Sequence, residues 1–319
     1  MLSINNDSNG MKAWLVGILA FFALAQSAMA DDIELITDKG TLRGTLEIAD
    51  SGTERMVIFV SGSGPTDRDG NNTQMKNNSL KMVAEALKDA GYSSFRYDKR
   101  GIAGSASGSF IEADLRFDHF VDDLVLWGNH LKAEYGVKSI YLLGHSEGAL
   151  IVTLGAERLK AEKVILLAGI GERGSSTLIK QLKAGGLPPA MLEGAIKAIH
   201  TLEKGKLAEN TPPALAGLFR ASVQPYMISW FKYDPAKEAA ALTMPVKAIF
   251  GETDIQVAPS NGLVFTQASD AIDVDVIAGM NHVLKTAPAD RAKNIATYTQ
   301  PALPLTDGLM ESILTFFAK

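Results

Sequence analysis

Short apolar runs alternate along the chain with longer stretches in which apolar residues recur every three or four positions. The runs with the length of buried strands cover residues 56–60, 139–143, 163–168 and 246–250. Residues 80–87 and 117–131 instead show the spacing of amphipathic helices. Strands that alternate with helices are typical of a mostly parallel sheet covered on both faces. The pattern therefore predicts an α/β fold.

One of these strand runs, 139–143, leads directly into Gly144-His145-Ser146-Glu147-Gly148, and an apolar helical segment follows. A strand, Gly-X-Ser-X-Gly and a helix form the layout of a nucleophile elbow. The glycines let neighbouring backbone approach the turn, and the helix start favours the negative charge that develops in acyl transfer. Ser146 is therefore the candidate nucleophile. The alternative is an ordinary glycine-rich turn between a strand and a helix.

A serine nucleophile needs a base and an acid that orients it, in the chain order serine, acid, histidine for this elbow. Of the five histidines, only His200 and His282 follow Ser146. His200 falls in a helical pattern and is predicted to be a surface or cap residue. His282 lies in a loop after the strand-like run 273–277, where α/β sheets place reactive groups. His282 is therefore the candidate base.

The candidate acid lies in the loop Gly251-Glu252-Thr253-Asp254, which follows another predicted strand. Asp254 is the preferred acid and Glu252 is the fallback. Together with Ser146 and His282, Asp254 forms a triad by order and placement. The alternative is that these are three unrelated polar loop residues.

An oxyanion hole at this elbow takes one amide from the residue after the nucleophile and one from the loop after an early strand. The first requirement points to Glu147. The loop Ser61-Gly62-Ser63-Gly64-Pro65 follows the predicted strand 56–60, and Ser63 is the candidate for the second amide. No Gly-Lys-Ser/Thr follows this loop, so a phosphate-binding role is weakly supported.

These motifs resemble those of the α/β-hydrolases, in particular the serine aminopeptidase and lysophospholipase-like branch of bacterial esterases. The segments that carry the resemblance are 61–70, 96–101, 144–148, 251–254 and 279–282. The resemblance implies an α/β-hydrolase fold, with a mostly parallel central sheet and helices on both faces. It does not fix the substrate, because the same scaffold hosts esterases, peptidases and thioesterases.

Residues 169–245 lie between two of the predicted strands and are far more than a crossover needs. In the resembling family, an insertion here forms a helical cap over the active site. We therefore expect a cap over 171–241, with the hydrolase core formed by 31–170 and 242–319. Large apolar residues gather near the end of the cap. They are Phe219, Tyr226, Met227, Trp230, Phe231 and Tyr233. Either they line an apolar acyl pocket or they pack the cap against the core.

The amino terminus carries the pattern of an export signal. Lys12 precedes the apolar run 13–25, which is short for a membrane span, and Ala28-Met29-Ala30 supplies a small-X-small cleavage site before Asp31. We predict a signal peptide over 1–30 and a periplasmic or secreted mature protein. An uncleaved membrane anchor is the alternative.

Composition argues against several other classes of function. The chain contains no cysteine, which excludes disulfides, thiolate metal sites and a cysteine nucleophile. Its net charge of −5 gives no basic footprint for nucleic acid, and its scattered histidines include no His-Glu-X-X-His zinc motif. We therefore expect no cofactor, no metal, no nucleic-acid partner and no stable membrane insertion after signal cleavage.

Taken together, the motifs predict an exported serine hydrolase that cleaves a small-molecule carboxylic ester through an acyl-enzyme intermediate. One alternative is an aminopeptidase-like exopeptidase on short peptides, which needs a carboxylate cluster near the cap to hold the substrate ammonium. The other is a non-catalytic binding protein on the hydrolase fold.

Overall fold

The computed structural model describes residues 30–106 and 110–319, so the predicted signal peptide lies outside the described residues except for Ala30. An eight-stranded sheet forms the centre of the described part. Its strands are β1 (Asp31–Thr37), β2 (Gly40–Glu47), β3 (Arg55–Val60), β4 (Ser93–Tyr97), β5 (Ser139–His145), β6 (Lys163–Leu167), β7 (Val246–Gly251) and β8 (Ile272–Ile277).

The spatial order of the strands is β1-β2-β4-β3-β5-β6-β7-β8. The pairs β1–β2 and β2–β4 are antiparallel, and all the other pairs are parallel. The carboxyl ends of β3 to β8 therefore share one edge of the sheet, where the loops that follow them meet. The prediction of a mostly parallel sheet in an α/β-hydrolase fold is confirmed.

Helices cover both faces of this sheet. Those of the described residues are α1 (Ser79–Asp89), α2 (Phe117–Tyr135), α3 (Glu147–Leu159), α4 (Gly174–Ala184), α5 (Pro189–Glu203), α6 (Ala216–Phe219), α7 (Gln224–Trp230), α8 (Pro235–Ala240), α9 (Asn261–Ala268), α10 (Arg291–Ala296) and α11 (Leu309–Ala318). Short 3₁₀ turns cover Ala103–Ser105, Glu112–Asp114, Pro213–Leu215 and Thr297–Thr299.

The position of β3 in the middle of the sheet explains why its sequence is an apolar run rather than an alternation of apolar and polar residues. Successive side chains of a strand point to opposite faces. Met56 and Ile58 join the core that includes residues of α2 and α3, whereas Val57 and Phe59 join the core that includes residues of α1 and α11. After the exposed Arg55 at its start, both faces of the strand are buried, so every position from 56 to 60 is apolar.

The chain between β6 and β7 holds α4 to α8. Part of this segment has an apolar core of its own, which includes Ile199, Phe219, Met227 and Phe231. Phe117 of α2 joins it to the rest of the molecule, because its ring stacks on Trp230 with centroids 6.4 Å apart. Much of the predicted aromatic cluster thus packs the segment internally and against α2. The domain limits at 171–241 stay a prediction.

Candidate active site

Ser146 lies at the turn between β5 and α3, with φ of 54° and ψ of −118°. A positive φ is strained for a residue with a side chain, at a cost on the order of 1–3 kcal/mol. The Ser146 N–H donates to the Leu167 carbonyl at 2.9 Å, which ties the turn to the neighbouring strand β6. The turn therefore has the strained strand-to-helix geometry of a nucleophile elbow.

The two glycines of the motif allow this turn to form. A Cβ on Gly144 would lie 2.2 Å from the Gly148 carbonyl oxygen. A Cβ on Gly148 would lie 2.2 Å from the carbonyl oxygen of Val60, at the end of β3. Because both contacts involve backbone atoms that cannot rotate away, a side chain at either position would separate α3 from the sheet.

The structure brings Asp254 to His282. Asp254 follows β7, His282 follows β8, and the His282 Nδ1 lies 2.7 Å from the Asp254 Oδ2. The second carboxylate oxygen accepts from the backbone N–H groups of Gln256, at 2.7 Å, and Val257, at 2.9 Å. Both side chains are buried, so the carboxylate is fixed and directed at the imidazole.

The fallback acid Glu252 does not reach the imidazole. Its Oε2 accepts from the Gly279 N–H at 2.9 Å, in the loop that leads to His282, and the residue is exposed. His200, the other histidine after Ser146, lies on α5 with an exposed side chain, and its Nδ1 is 2.7 Å from Glu203. Neither residue belongs to the arrangement around His282.

His145 links the elbow to the His282 loop. Its Nε2 lies 2.9 Å from the His282 carbonyl oxygen, so this nitrogen must carry the proton and donate it. Burial, and to a lesser extent the neighbouring His282, lowers the pKa of His145 to about 3, so the ring remains neutral.

Within the described part of the chain, the Ser146 Oγ makes no hydrogen bond, either to His282 or to another residue. Such contacts are often long in a free enzyme and shorten when substrate binds.

The two candidate oxyanion donors come from two segments that meet at Ser146, the loop after β3 and the start of α3. Glu147 is the first residue of α3, where helix geometry leaves the N–H without an intrahelical partner. Gly62 packs against the nucleophile, since a Cβ there would lie 3.2 Å from the Ser146 Cβ. The Ser63 N–H makes no hydrogen bond within the described part of the chain. Both N–H groups are therefore available to a ligand.

A buried polar network that sequence analysis missed lies beside these two candidate donors. Lys99 follows β4, and its Nζ donates to the Gly62 carbonyl and lies 3.2 Å from the Glu147 Oε1. The Tyr226 hydroxyl, from α7, donates to the other Glu147 oxygen. The one sequence signal for Lys99 is its position in the loop after β4, because the loops at the carboxyl ends of parallel strands are where α/β sheets place functional residues.

A cavity of about 350 Å³ opens next to Glu147. It is lined by Gly64, Pro65, Lys99, Arg100, Gly101, Ile102, Phe110, Glu112, Leu115, Phe120, Glu147, Arg220, Val223 and Tyr226. The lining comes from the loops after β3, β4 and β5 and from α2 and α7, and it contains no residue of the loops after β7 and β8. Six of these residues have apolar side chains, three of them large (Phe110, Leu115 and Phe120), and they give the cavity an apolar surface that suits an organic acyl group.

Residues 30–106 and 110–319 contain no group of three or more His, Asp or Glu side chains placed to hold a metal ion. Over the same residues, no helix has the length and apolar character required to cross a bilayer.

Comparison with known proteins agrees with this geometry. Residues 75–286 match the family described as serine aminopeptidase, S33. Over 266 aligned residues the chain is 28% identical to Esterase EstD of Thermotoga maritima. This alignment covers 76% of this chain and 59% of that relative. The chain thus spans about three fifths of the length of this curated relative.

Solved structures share the fold. The complex of ferulic acid with Est1E from Butyrivibrio proteoclasticus superposes with a TM-score of 0.59 at 19% identity, covering 90% of this chain and all of that one. The α/β-hydrolase GrgF from Penicillium sp. sh18 gives 0.56 at 19% identity, covering 91% and 96%. With the family match over residues 75–286, the elbow and the sheet order, the chain belongs to the serine aminopeptidase S33 family and has the α/β-hydrolase fold.

Proposed function

We propose that the protein is a serine hydrolase that cleaves carboxylic esters with the triad Ser146, His282 and Asp254. The observation that carries the proposal is the 2.7 Å contact between the His282 Nδ1 and the buried Asp254, together with Ser146 in a strained elbow. The 28% identical relative named as an esterase supports an ester as the substrate.

The proposed reaction proceeds in two halves. Ser146 Oγ attacks the ester carbonyl carbon while the His282 Nε2 takes the serine proton, and the N–H groups of Ser63 and Glu147 bind the resulting oxyanion. The intermediate collapses as His282 gives the proton to the leaving alcohol, which leaves an acyl group on Ser146. Water then attacks the acyl-enzyme by the same steps, with His282 again as the base, and releases the acid.

The cavity beside Glu147 is placed to receive the acyl side of the ester. The leaving alcohol must lie near His282, because the imidazole protonates it. His282 and Asp254 come from the loops after β7 and β8, whereas the sheet loops that line the cavity follow β3, β4 and β5. An apolar acyl group in the cavity therefore leaves the alcohol on the His282 side.

The same cavity argues against an aminopeptidase. A substrate ammonium needs an unpaired carboxylate, yet both carboxylates in the lining already have partners. Glu147 contacts Lys99 and Tyr226. Glu112 accepts from Arg220 Nε at 2.8 Å and from Ser222. Since each carboxylate is already satisfied, the cavity offers no acidic group for the amino terminus of a peptide.

A substrate screen tests this choice. We expect kcat/KM for p-nitrophenyl esters of short and medium acids to exceed that for aminoacyl-arylamides by roughly 10²-fold or more, because the cavity leaves an ammonium unpaired. Ser146→Ala measured on both substrate classes is the control for contaminating hydrolases. Faster cleavage of the arylamides would favour the exopeptidase. Absence of hydrolysis and of fluorophosphonate labelling would favour a binding protein.

We further propose that the protein is exported and processed before Asp31. The support is the apolar run 13–25 closed by Ala28-Met29-Ala30. We expect the mature chain to start at Asp31 and to be recovered in the periplasmic or secreted fraction. N-terminal sequencing of the protein from its native source tests this. A chain that retains residues before Ala28 would support the uncleaved anchor instead.

A further inference from the structure

Lys99 is buried beside the oxyanion hole although no step of the proposed reaction uses it. The residue is 1% exposed, and Glu147 is its one acidic partner among the described residues, with Nζ to Oε1 at 3.2 Å. The ammonium also lies 5.1 Å from the centroid of the Phe120 ring. Burying a lysine is costly, so its contacts indicate what the charge does there.

The first contact controls one of the oxyanion donors. Lys99 donates to the carbonyl of Gly62, which belongs to the same peptide unit as the N–H of Ser63. In a planar trans peptide these two groups point in opposite directions. The ammonium that holds the Gly62 carbonyl therefore also fixes the direction of the Ser63 N–H. Its charge polarises the peptide so that this N–H becomes a stronger donor.

The second contact reaches the other donor residue. The Glu147 side chain is held between Lys99 and the hydroxyl of Tyr226, and the Glu147 N–H lies at the first turn of α3. One ammonium thus joins the loop after β3 to the elbow after β5. Tyr226, in the segment between β6 and β7, adds a third part of the chain to this connection through its hydrogen bond to Glu147.

We propose that Lys99 is a positioning residue that holds the Ser63 and Glu147 amides in register as an oxyanion hole. This inference rests on the proposed serine-hydrolase function. Because an oxyanion exists only in the transition states and tetrahedral intermediates, loss of Lys99 lowers kcat and leaves ground-state binding largely intact.

Lys99→Met tests the proposal, since methionine fills a similar volume without the donor. The concentration of active enzyme is titrated first with a fluorophosphonate, so that kcat refers to competent sites. We expect kcat per titrated site to fall by about 10²-fold, as when one oxyanion donor is lost, with KM within about threefold of its original value.

A trifluoromethyl ketone supplies a readout that a purely structural role would not change. Ser146 Oγ bonds to the ketone carbon, its proton passes to His282, and the ketone oxygen becomes an oxyanion in the hole. We expect the inhibition constant to rise in Lys99→Met by about the factor by which kcat falls.

Two further variants keep the test decisive. Lys99→Met/Glu147→Gln removes both charges, so no lone carboxylate stays buried. It should retain the kcat defect because the Gly62 carbonyl still lacks its donor.

Arg96→Met is the matched control. Arg96 is 2% exposed and pairs with the buried Glu47 at 2.7 Å and with Asp69 at 3.1 Å, but among the described residues it makes no hydrogen bond or ion pair with Ser63 or Glu147. Its loss should lower stability and leave kcat per titrated site unchanged.

The proposal fails if Lys99→Met keeps kcat per titrated site within about threefold, or if Arg96→Met loses as much kcat as Lys99→Met. It also fails if the inhibition constant for the ketone is unchanged. A Ser146→Ala variant that stays active would instead contradict the proposed function itself, so the two failures can be distinguished.

Discussion

Ser146→Ala should lower kcat by a factor of about 10⁴ or more and leave the fold intact. Alanine keeps the Cβ, so the backbone at φ 54° experiences the same strain in both proteins. The fold should be unaffected because no hydrogen bond of the Ser146 side chain to another described residue is lost. What is lost is the hydroxyl that forms the acyl-enzyme.

The measurement combines ester hydrolysis with active-site labelling. A fluorophosphonate should modify Ser146 once per chain in the unaltered protein and should modify nothing in the alanine variant. Ser61→Ala is a suitable control, because Ser61 is a buried serine in the nearby loop whose hydroxyl donates to the Thr66 carbonyl at 3.1 Å. Labelling of a different serine, or retained activity in Ser146→Ala, would show that the nucleophile lies elsewhere.

The elements that could be predicted are those in which local pattern and topology agree. Strands buried on both faces give continuous apolar runs, as in β3 and β5, and these runs lie within one or two residues of the observed strands. Parallel strands bring the loops at their carboxyl ends together. For this reason, Ser146, Asp254 and His282 could be proposed from the Gly-X-Ser-X-Gly motif, the chain order and the position of each residue after a predicted strand.

The contribution of Lys99 could not be predicted, because its partners come from distant parts of the chain. Gly62 lies after β3, Glu147 after β5 and Tyr226 in α7. No regular spacing in the sequence relates these residues to Lys99. A lysine beside an arginine in a polar loop resembles a solvated residue. Only the packed structure shows that Lys99 is buried and the adjacent Arg100 is partly exposed.

The role of the large apolar residues in the predicted cap was ambiguous for a related reason. Large apolar side chains at helical spacing are buried whether they line a cavity or fill a core, so their pattern is the same in both cases. The structure separates them. Tyr226 lines the cavity beside Glu147, whereas Phe219, Met227 and Phe231 are buried in the core of the segment between β6 and β7.

Asp254→Asn should lower kcat by roughly 10⁴-fold, and the backbone around the carboxylate explains why the loss is so large. Oδ1 accepts two N–H groups, from Gln256 and Val257. An asparagine would therefore keep its carbonyl oxygen at that position and turn its NH₂ toward the His282 Nδ1. Since an NH₂ donates, Nδ1 would have to be the acceptor and the proton would move to Nε2. An imidazole protonated on Nε2 cannot take the proton from Ser146.

Glu252→Gln is the matched control for this prediction, as both residues lie in the loop after β7. The glutamine oxygen can still accept from the Gly279 N–H, and the side chain is exposed, so we expect kcat to change by less than about threefold. Hydrolysis of one p-nitrophenyl ester over a range of pH, with active sites titrated for each variant, distinguishes the two carboxylates. If Glu252→Gln were the severely impaired variant and Asp254→Asn the mild one, Glu252 would be the residue that orients His282. The 2.7 Å contact of Asp254 would then be structural rather than catalytic.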